Sequence, residues 1–460
     1  MKWVLFIAFA AVAVPVAAVL CALGGRYRAG LLALLVVTPF FGDLVNINVL
    51  SVESYRGPDR GFEISLTDLL ALGMAFGLLA RPNRIRRIPP GTVLCLLLFA
   101  VAVAGVLFAP QRLFAAFTLF KALRLYLLLF VVFETVRQGI DLAWTYRAWA
   151  GMGCISALLV LKQKYLEGIY RIHLLFDHSN TVPLFLNLVM PIVLLWALAG
   201  PGPRPAIDSW LGTVGALGMV GAVTMTYSRA GLVLAGAAVG AVLVVAVLKR
   251  PSVRSFAGVA AISVLGVIGL SLVADSLLYR FLNAPKASGE ARNEFNQAAQ
   301  AMAEDHLLGV GINQYPRVLS DDGRYRKFIG VMANEKEAGV VHHIYWLTAA
   351  ELGFVGLALF LLLLLRFWAI AFGLMWSPVP TDALTGFGAF FGFGLIHAHG
   401  FLEWALRISP VAYFFAIVCG LVGGLGARRR FRISDVTRAV RWLVGARWFF
   451  ELFRRRGTSR

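Results

Sequence analysis

Charge is what this sequence has least of. Only 15% of its 460 residues are charged, while 59% are hydrophobic and the mean hydropathy is +0.78. Soluble domains carry roughly a quarter of their residues charged, so a soluble domain of this length is excluded. Cysteine is scarce too. Cys21, Cys95, Cys154 and Cys419 lie inside apolar runs, and none forms a CxxC pair. They read as small buried hydrophobes and give neither a metal site nor a redox centre. The sequence has no HExxH, no Walker loop and no dinucleotide fingerprint, which leaves ATP hydrolysis and hydride transfer without support. It also lacks heptads, repeats and low-complexity tracts.

What it has is long apolar runs of about 18 to 25 residues, enough to cross a hydrocarbon core of roughly 30 Å. The runs are continuous rather than alternating, so the spans are helices and the fold class is an all-α polytopic membrane protein. The first run, 3–23, is long and lacks a clear small-x-small cleavage site, and reads as a retained helix. Further runs fall near 30–45, 65–80, 92–109, 113–136, 143–161, 181–198, 210–227, 230–248, 256–274, 343–368, 384–401 and 410–425. About twelve or thirteen transmembrane helices are therefore expected. The second run is the weak one, because Pro39 and Gly42 break it.

The net charge of +19 does not signal nucleic acid. Eleven arginines against Asp435 and Glu451 fill the stretch from Arg428 to Arg460, and most of the remaining excess sits in short loops. By the positive-inside rule the loops carrying Arg26/Arg28, Arg81–Arg87, Arg137/Arg147, Arg204 and Lys249/Arg250/Arg254 are cytoplasmic. This divides the chain into transmembrane helices over 1–274, a periplasmic loop over 275–341, C-terminal transmembrane helices over 342–427 and a tail over 428–460. The tail alternates apolar residues with arginine, as in a basic amphipathic helix lying on membrane lipids. The loop is too long for a simple linker. Its stretch from Glu290 to His306 reads as a helix with Phe295, Ala298, Ala299 and Met302 on one face, closed by the glycine-rich turn Gly309-Val310-Gly311.

Several clusters suit chemistry. His342 and His343 sit where the polar loop meets an apolar helix, and a neutral imidazole takes up a proton near pH 7. Tyr345 and Glu351 follow on that helix. Arg229, in Tyr227-Ser228-Arg229-Ala230-Gly231, falls on the outer face, where the positive-inside rule does not explain it. Its planar fork suits phosphate. Arg292 starts the helix of the outer loop, and Arg280 stands just after the preceding span. Lys121 and Arg124 lie one turn apart inside an apolar run, as a structural pair or a lipid-phosphate contact. His178 and Asn180 stand at the outer mouth of a span, with Ser179 or Asn180 serving as the helix N-cap or lining substrate. His397 and His399 lie two apart on a helix, a poor spacing for one metal.

These pieces, Asp177-His178-Ser179-Asn180, Tyr227-Ser228-Arg229-Ala230-Gly231, Arg292 with Gly309-Val310-Gly311, and His342-x8-Glu351-x-Gly353, resemble in their order the O-antigen ligase/polymerase family of bacterial envelope proteins. The resemblance runs from about residue 176 to 356. It implies a GT-C-like glycosyltransferase of the inner (cytoplasmic) membrane with its active site facing the periplasm. Such enzymes move a glycan from undecaprenyl diphosphate to a second glycan, to lipid A–core or sometimes to a protein, with inversion. No cofactor is implied, neither metal nor nucleotide sugar. By the resemblance, Arg229 and Arg292 hold the diphosphate and His342 is the base. Arg280, Lys121 and Arg124 are further diphosphate candidates, and Asn180, His178, Tyr345 and Glu351 are substrate-lining candidates. The family usually has asparagine after the histidine; here His343 stands there, so either histidine fits the role of base, His342 preferred. Ligase and polymerase are not separated by sequence. A transporter of bicarbonate or another small anion is the alternative of a different class, and a scaffold for polysaccharide assembly is a third.

Overall fold

The computed structural model describes residues 2–44, 46–80, 87–200, 206–249, 251, 253–282, 286–329 and 339–428. The arginines at 81–86 and the tail beyond Arg428 lie outside the described residues, as does the side chain of Arg280.

Helices α1 (Lys2–Leu23) and α2 (Gly25–Leu35) lead into a 3-10 segment, Thr38–Leu44, and a hairpin of β1 (Asn46–Ser51) and β2 (Gly61–Ser65). Helices α3 (Leu66–Leu79), α4 (Thr92–Val106), α5 (Arg112–Arg137) and α6 (Ala143–Leu161) follow. After a loop come α7 (Thr181–Ala199), α8 (Ala206–Met225), α9 (Arg229–Lys249) and α10 (Val253–Leu282). The long polar segment holds α11 (Lys286–Asp305) and the short α12 (Tyr315–Asp321) and α13 (Gly323–Arg326). Then come α14 (Ile344–Leu374), α15 (Pro380–Gly400) and α16 (Ser409–Arg428).

The protein is an all-α, multi-pass membrane protein. Among the described residues seven helices are long and apolar enough to cross a bilayer: α1, α5, α7, α8, α9, α14 and α16, with α3 and α4 apolar but shorter. The apolar run near 30–45 does not form one helix. Pro39 ends helical pairing, and the chain continues as a 3-10 segment. Together α2 and that segment rise about 30 Å, enough to cross as a composite. Helix α10 continues to Leu282, into the stretch 275–341. The hairpin was not anticipated. It pairs Asn46 with Ser65 and Ile47 with Ile64 in antiparallel register.

Helix α7 is the centre of the bundle. Every residue from Thr181 to Ala199 is buried, with α8, α9, α15 and α16 packed around it. A helix apolar on all sides belongs in such a position. Gly231 permits a close approach: a Cβ there would lie 2.5 Å from Pro183, so the first turns of α9 and α7 touch. Two hydrogen bonds gather arginine loops at one end of the bundle. Arg28 on α2 donates to Gln138 beyond α5, and Arg87 donates to the carbonyl of Ala427 on α16 at 3.1 Å.

Candidate active site

At the opposite ends of α14, α15 and α7, four segments converge on one carboxylate. Glu403 lies in the short loop between α15 and α16 and is only 4% exposed. One of its oxygens accepts from Asn180 Nδ2 at 2.7 Å and from Arg292 Nη2 at 3.0 Å; the other meets His342 Nδ1 at 2.9 Å. Burial pushes the Glu403 carboxyl up, but the hydrogen bond and charge of His342, with the charges of Arg292 and His399, outweigh it and hold the group below the usual carboxylate range. Glu403 is therefore ionised. An ionised carboxylate only accepts hydrogen bonds, so Nδ1 of His342 bears a proton towards it, and in the neutral ring Nε2 is the acceptor. The His342 side chain is 35% exposed, so the free nitrogen is reachable from outside.

The fold explains why these residues meet. Helix α11 buries Ala298, Ala299 and Met302 against Leu347 and Ala350 of α14, which carries Arg292 to Glu403. The following turn is pinned to α14 by an unusual device. At Gly353 the backbone of α14 leaves helical geometry, with φ 69° and ψ 179°. Such a break frees carbonyls from the helical ladder. Those of Ala350 and Glu351 accept instead from the backbone N–H groups of Val310 (2.9 Å) and Gly311 (3.0 Å). Gly353 has no substitute here, because a Cβ would lie 1.9 Å from the Leu307 carbonyl oxygen. The glycine-rich turn and the Glu351-x-Gly353 motif are thus two halves of one contact.

His343 is engaged elsewhere. It is the N-cap of α14, and its Nδ1 accepts from the backbone N–H of Trp346 at 3.2 Å. Burial holds its imidazole below the usual histidine value. Tyr345 hydrogen-bonds His397 Nδ1 at 3.0 Å and ties the start of α14 to the end of α15. Asn180 makes no side-chain cap on α7. It bridges Glu403 to Arg171, whose Nη2 donates to Asn180 Oδ1 at 2.9 Å. The Arg171 Nε also donates to the carbonyl of Thr226 at 3.0 Å, beside the Tyr227–Arg229 turn. Tyr227 adopts φ 51° to reverse the chain there, a rare conformation for a bulky residue. His178 contributes its Nδ1 to the Asn180 backbone N–H at 3.1 Å.

A second cluster is closed. Glu351 is fully buried and pairs with Arg407 Nη1 at 2.6 Å. Lys121 pairs with Asp59 at 2.8 Å and also donates to the Arg407 carbonyl at 2.6 Å. Arg124 pairs with Asp68 at 2.8 Å. Burial pushes the Asp59 carboxyl up, but Lys121 and Arg407 outweigh it and hold it below its ordinary value. Of the sequence-derived candidates the structure therefore brings His342, Arg292, Asn180 and His178 together, with His343 and Tyr345 beside them. It puts Lys121, Arg124 and Glu351 into buried pairs. Arg229 stands exposed at the first residue of α9, and no carboxylate among the described residues lies within ion-pair distance of it. Sequence reasoning missed Glu403 and Arg171 as site residues. The signal for Glu403 was an acidic residue in a very short loop between two apolar helices.

Residues 214–361 match the model of a family described as O-antigen ligase. No curated protein matches the chain.

Proposed function

We propose that this chain, whose residues 214–361 match the O-antigen ligase family, belongs to that family and moves a glycan from undecaprenyl diphosphate to an acceptor hydroxyl at the periplasmic face of the inner membrane. The observation that carries the reading is the Glu403–His342 pair with Arg292 on the same carboxylate. A base oriented by a third group, beside a cation, is the arrangement that attack by a hydroxyl and departure of an anion require.

His342 Nε2 takes the proton of the acceptor hydroxyl, and Glu403 stabilises the imidazolium that forms. The hydroxyl oxygen forms a bond to the anomeric carbon as the bond from that carbon to the diphosphate oxygen breaks. The diphosphate leaves with the electron pair, and Arg292 and Arg229 offset its charge. Attack in line with the leaving group inverts the anomeric configuration. The imidazolium then returns its proton to water. Lys121, Arg124 and Glu351 are assigned no part in the step, because each is held in a buried ion pair apart from Glu403. His343 keeps α14 in place and is not the base, since its Nδ1 lone pair is committed to the helix cap. The arginine loops gathered at the far end of the bundle support the cytoplasmic side there and the periplasmic side at Glu403.

The test is in-vitro transfer from a polyprenyl-diphosphate glycan in chelator, with wild type, His342→Ala and Arg229→Ala. Transfer by wild type and a loss of about 10² to 10⁴ in rate in His342→Ala supports the reading. Folded wild type that binds the lipid and transfers to no offered acceptor overturns it.

A further inference from the structure

A cavity of about 340 Å³ lies beside the Glu403 cluster, on the other side of the segments that build it. Asp177, Thr181 and Trp404 line it, and each is the chain neighbour of a cluster residue: His178, Asn180 and Glu403. One peptide step is about 3.8 Å, so the two sites share walls. The hairpin forms the opposite wall. This gives a role to the Tyr55–Glu63 stretch.

The lining identifies the ligand class. Arg60, Lys121 and Arg124 face it, and so do Asp59, Glu63 and Asp177. The charges balance, and two of the cations are already paired with Asp59 and Asp68. A diphosphate finds no net positive field here. A neutral molecule carrying many hydroxyls does find partners, because each hydroxyl both donates and accepts. Glu63 Oε1 accepts from Asn46 Nδ2 at 2.8 Å, which leaves its second oxygen for a ligand. Asn48 is exposed at the rim, and the half-buried indole of Trp404 offers an apolar plate among these polar groups. Polar groups that fix orientation around an aromatic surface, in a volume of this order, are the pattern of a small-molecule site.

We infer that this cavity is a glycan subsite, holding a neutral sugar unit with Trp404 against its C–H face and with Glu63 and Asn48 on its hydroxyls. That the sugar belongs to a substrate of the Glu403 cluster rests on the transferase reading; the sugar-binding chemistry of the cavity does not. The ligand comes from one of two sources, the donor glycan or the acceptor glycan.

The experiment uses the full chain in detergent and two lipid-free probes. One is the glycan released by mild acid from the polyprenyl-diphosphate donor, and the other is the glycan of the acceptor. Binding is measured calorimetrically and by saturation-transfer NMR, for wild type, Asn48→Ala, Glu63→Gln and Trp404→Leu. Binding of either probe, weakened about tenfold in Asn48→Ala and Glu63→Gln and unchanged by pyrophosphate, supports the subsite and names its source. Asn48 is exposed, so its variant folds even if Trp404→Leu does not. Three outcomes overturn the inference: neither glycan binds, the variants bind as wild type, or pyrophosphate displaces the sugar. Sugar binding of the expected kind in a protein that transfers nothing overturns the transferase reading alone.

Discussion

Glu403 and Arg407 lie four residues apart in one loop and anchor two opposite kinds of charge cluster. Around Arg407 the charges are buried and paired, although its Nε and Nη2 make no hydrogen bond among the described residues. The Glu351 side chain is 0% exposed and that of Arg407 12%, and the neighbouring Lys121 and Asp59 are matched one to one. Around Glu403 a single buried carboxylate collects an amide, an arginine and a histidine, and the last two remain 36% and 35% exposed. Buried pairs fix helices against one another and hold their charges in place. The open cluster keeps a reachable imidazole nitrogen and a reachable guanidinium. The contrast separates the charges that build this fold from those suited to chemistry.

Mutations sharpen that contrast, beginning with the largest effect. His342→Ala should lower the transfer rate by about 10² to 10⁴ with little change in thermal stability, measured on the same detergent-purified protein. Arg407→Leu should do the reverse. It leaves the Glu351 charge buried and unpaired, which costs about 3 to 5 kcal/mol, read as a fall in unfolding temperature. Arg407→Leu combined with Glu351→Leu should recover much of that loss, because the uncompensated charge is gone. Glu403→Gln should slow transfer by a smaller factor, about ten to a hundredfold, by releasing the tautomer and orientation of His342. Binding of the lipid donor should change less than the rate.

The smallest effect is on pH. The folded-state value of Glu403 is depressed, so its contribution to stability is complete above the unfolded carboxyl value of about 4.3. That contribution is lost as pH falls through the lower folded value. Thermal stability of wild type should decline over that acid window, and the decline should be shallower in Glu403→Gln.

Much of this fold was legible because bilayer helices announce themselves as apolar runs. The α11 face was legible for a similar reason: Ala298, Ala299 and Met302 recur at helical spacing and do pack against α14. The composite crossing at α2 was not, since a run of apolar residues does not say where Pro39 will end the helix. The hairpin was hidden because short strands take their register from each other, not from a local pattern. At the site, the histidine and Arg292 were visible as motif positions, but their common partner was not. Glu403 is 61 residues beyond His342, and only the packing of α15 against α14 brings it back. Lys121 and Arg124 read equally as a structural pair or a phosphate contact, because charge at membrane depth usually faces a cavity or a partner. Their partners, Asp59 and Asp68, lie 62 and 56 residues away.

The central claim is that His342, held by Glu403, is the base while His343 is a helix cap. Transfer by His342→Asn and His343→Asn, assayed side by side, tests it most directly. Asparagine is among the best N-cap residues, so His343→Asn should fold and transfer at close to the wild-type rate, while His342→Asn should fold and transfer almost nothing. Transfer retained by His342→Asn and lost in a folded His343→Asn would contradict the account.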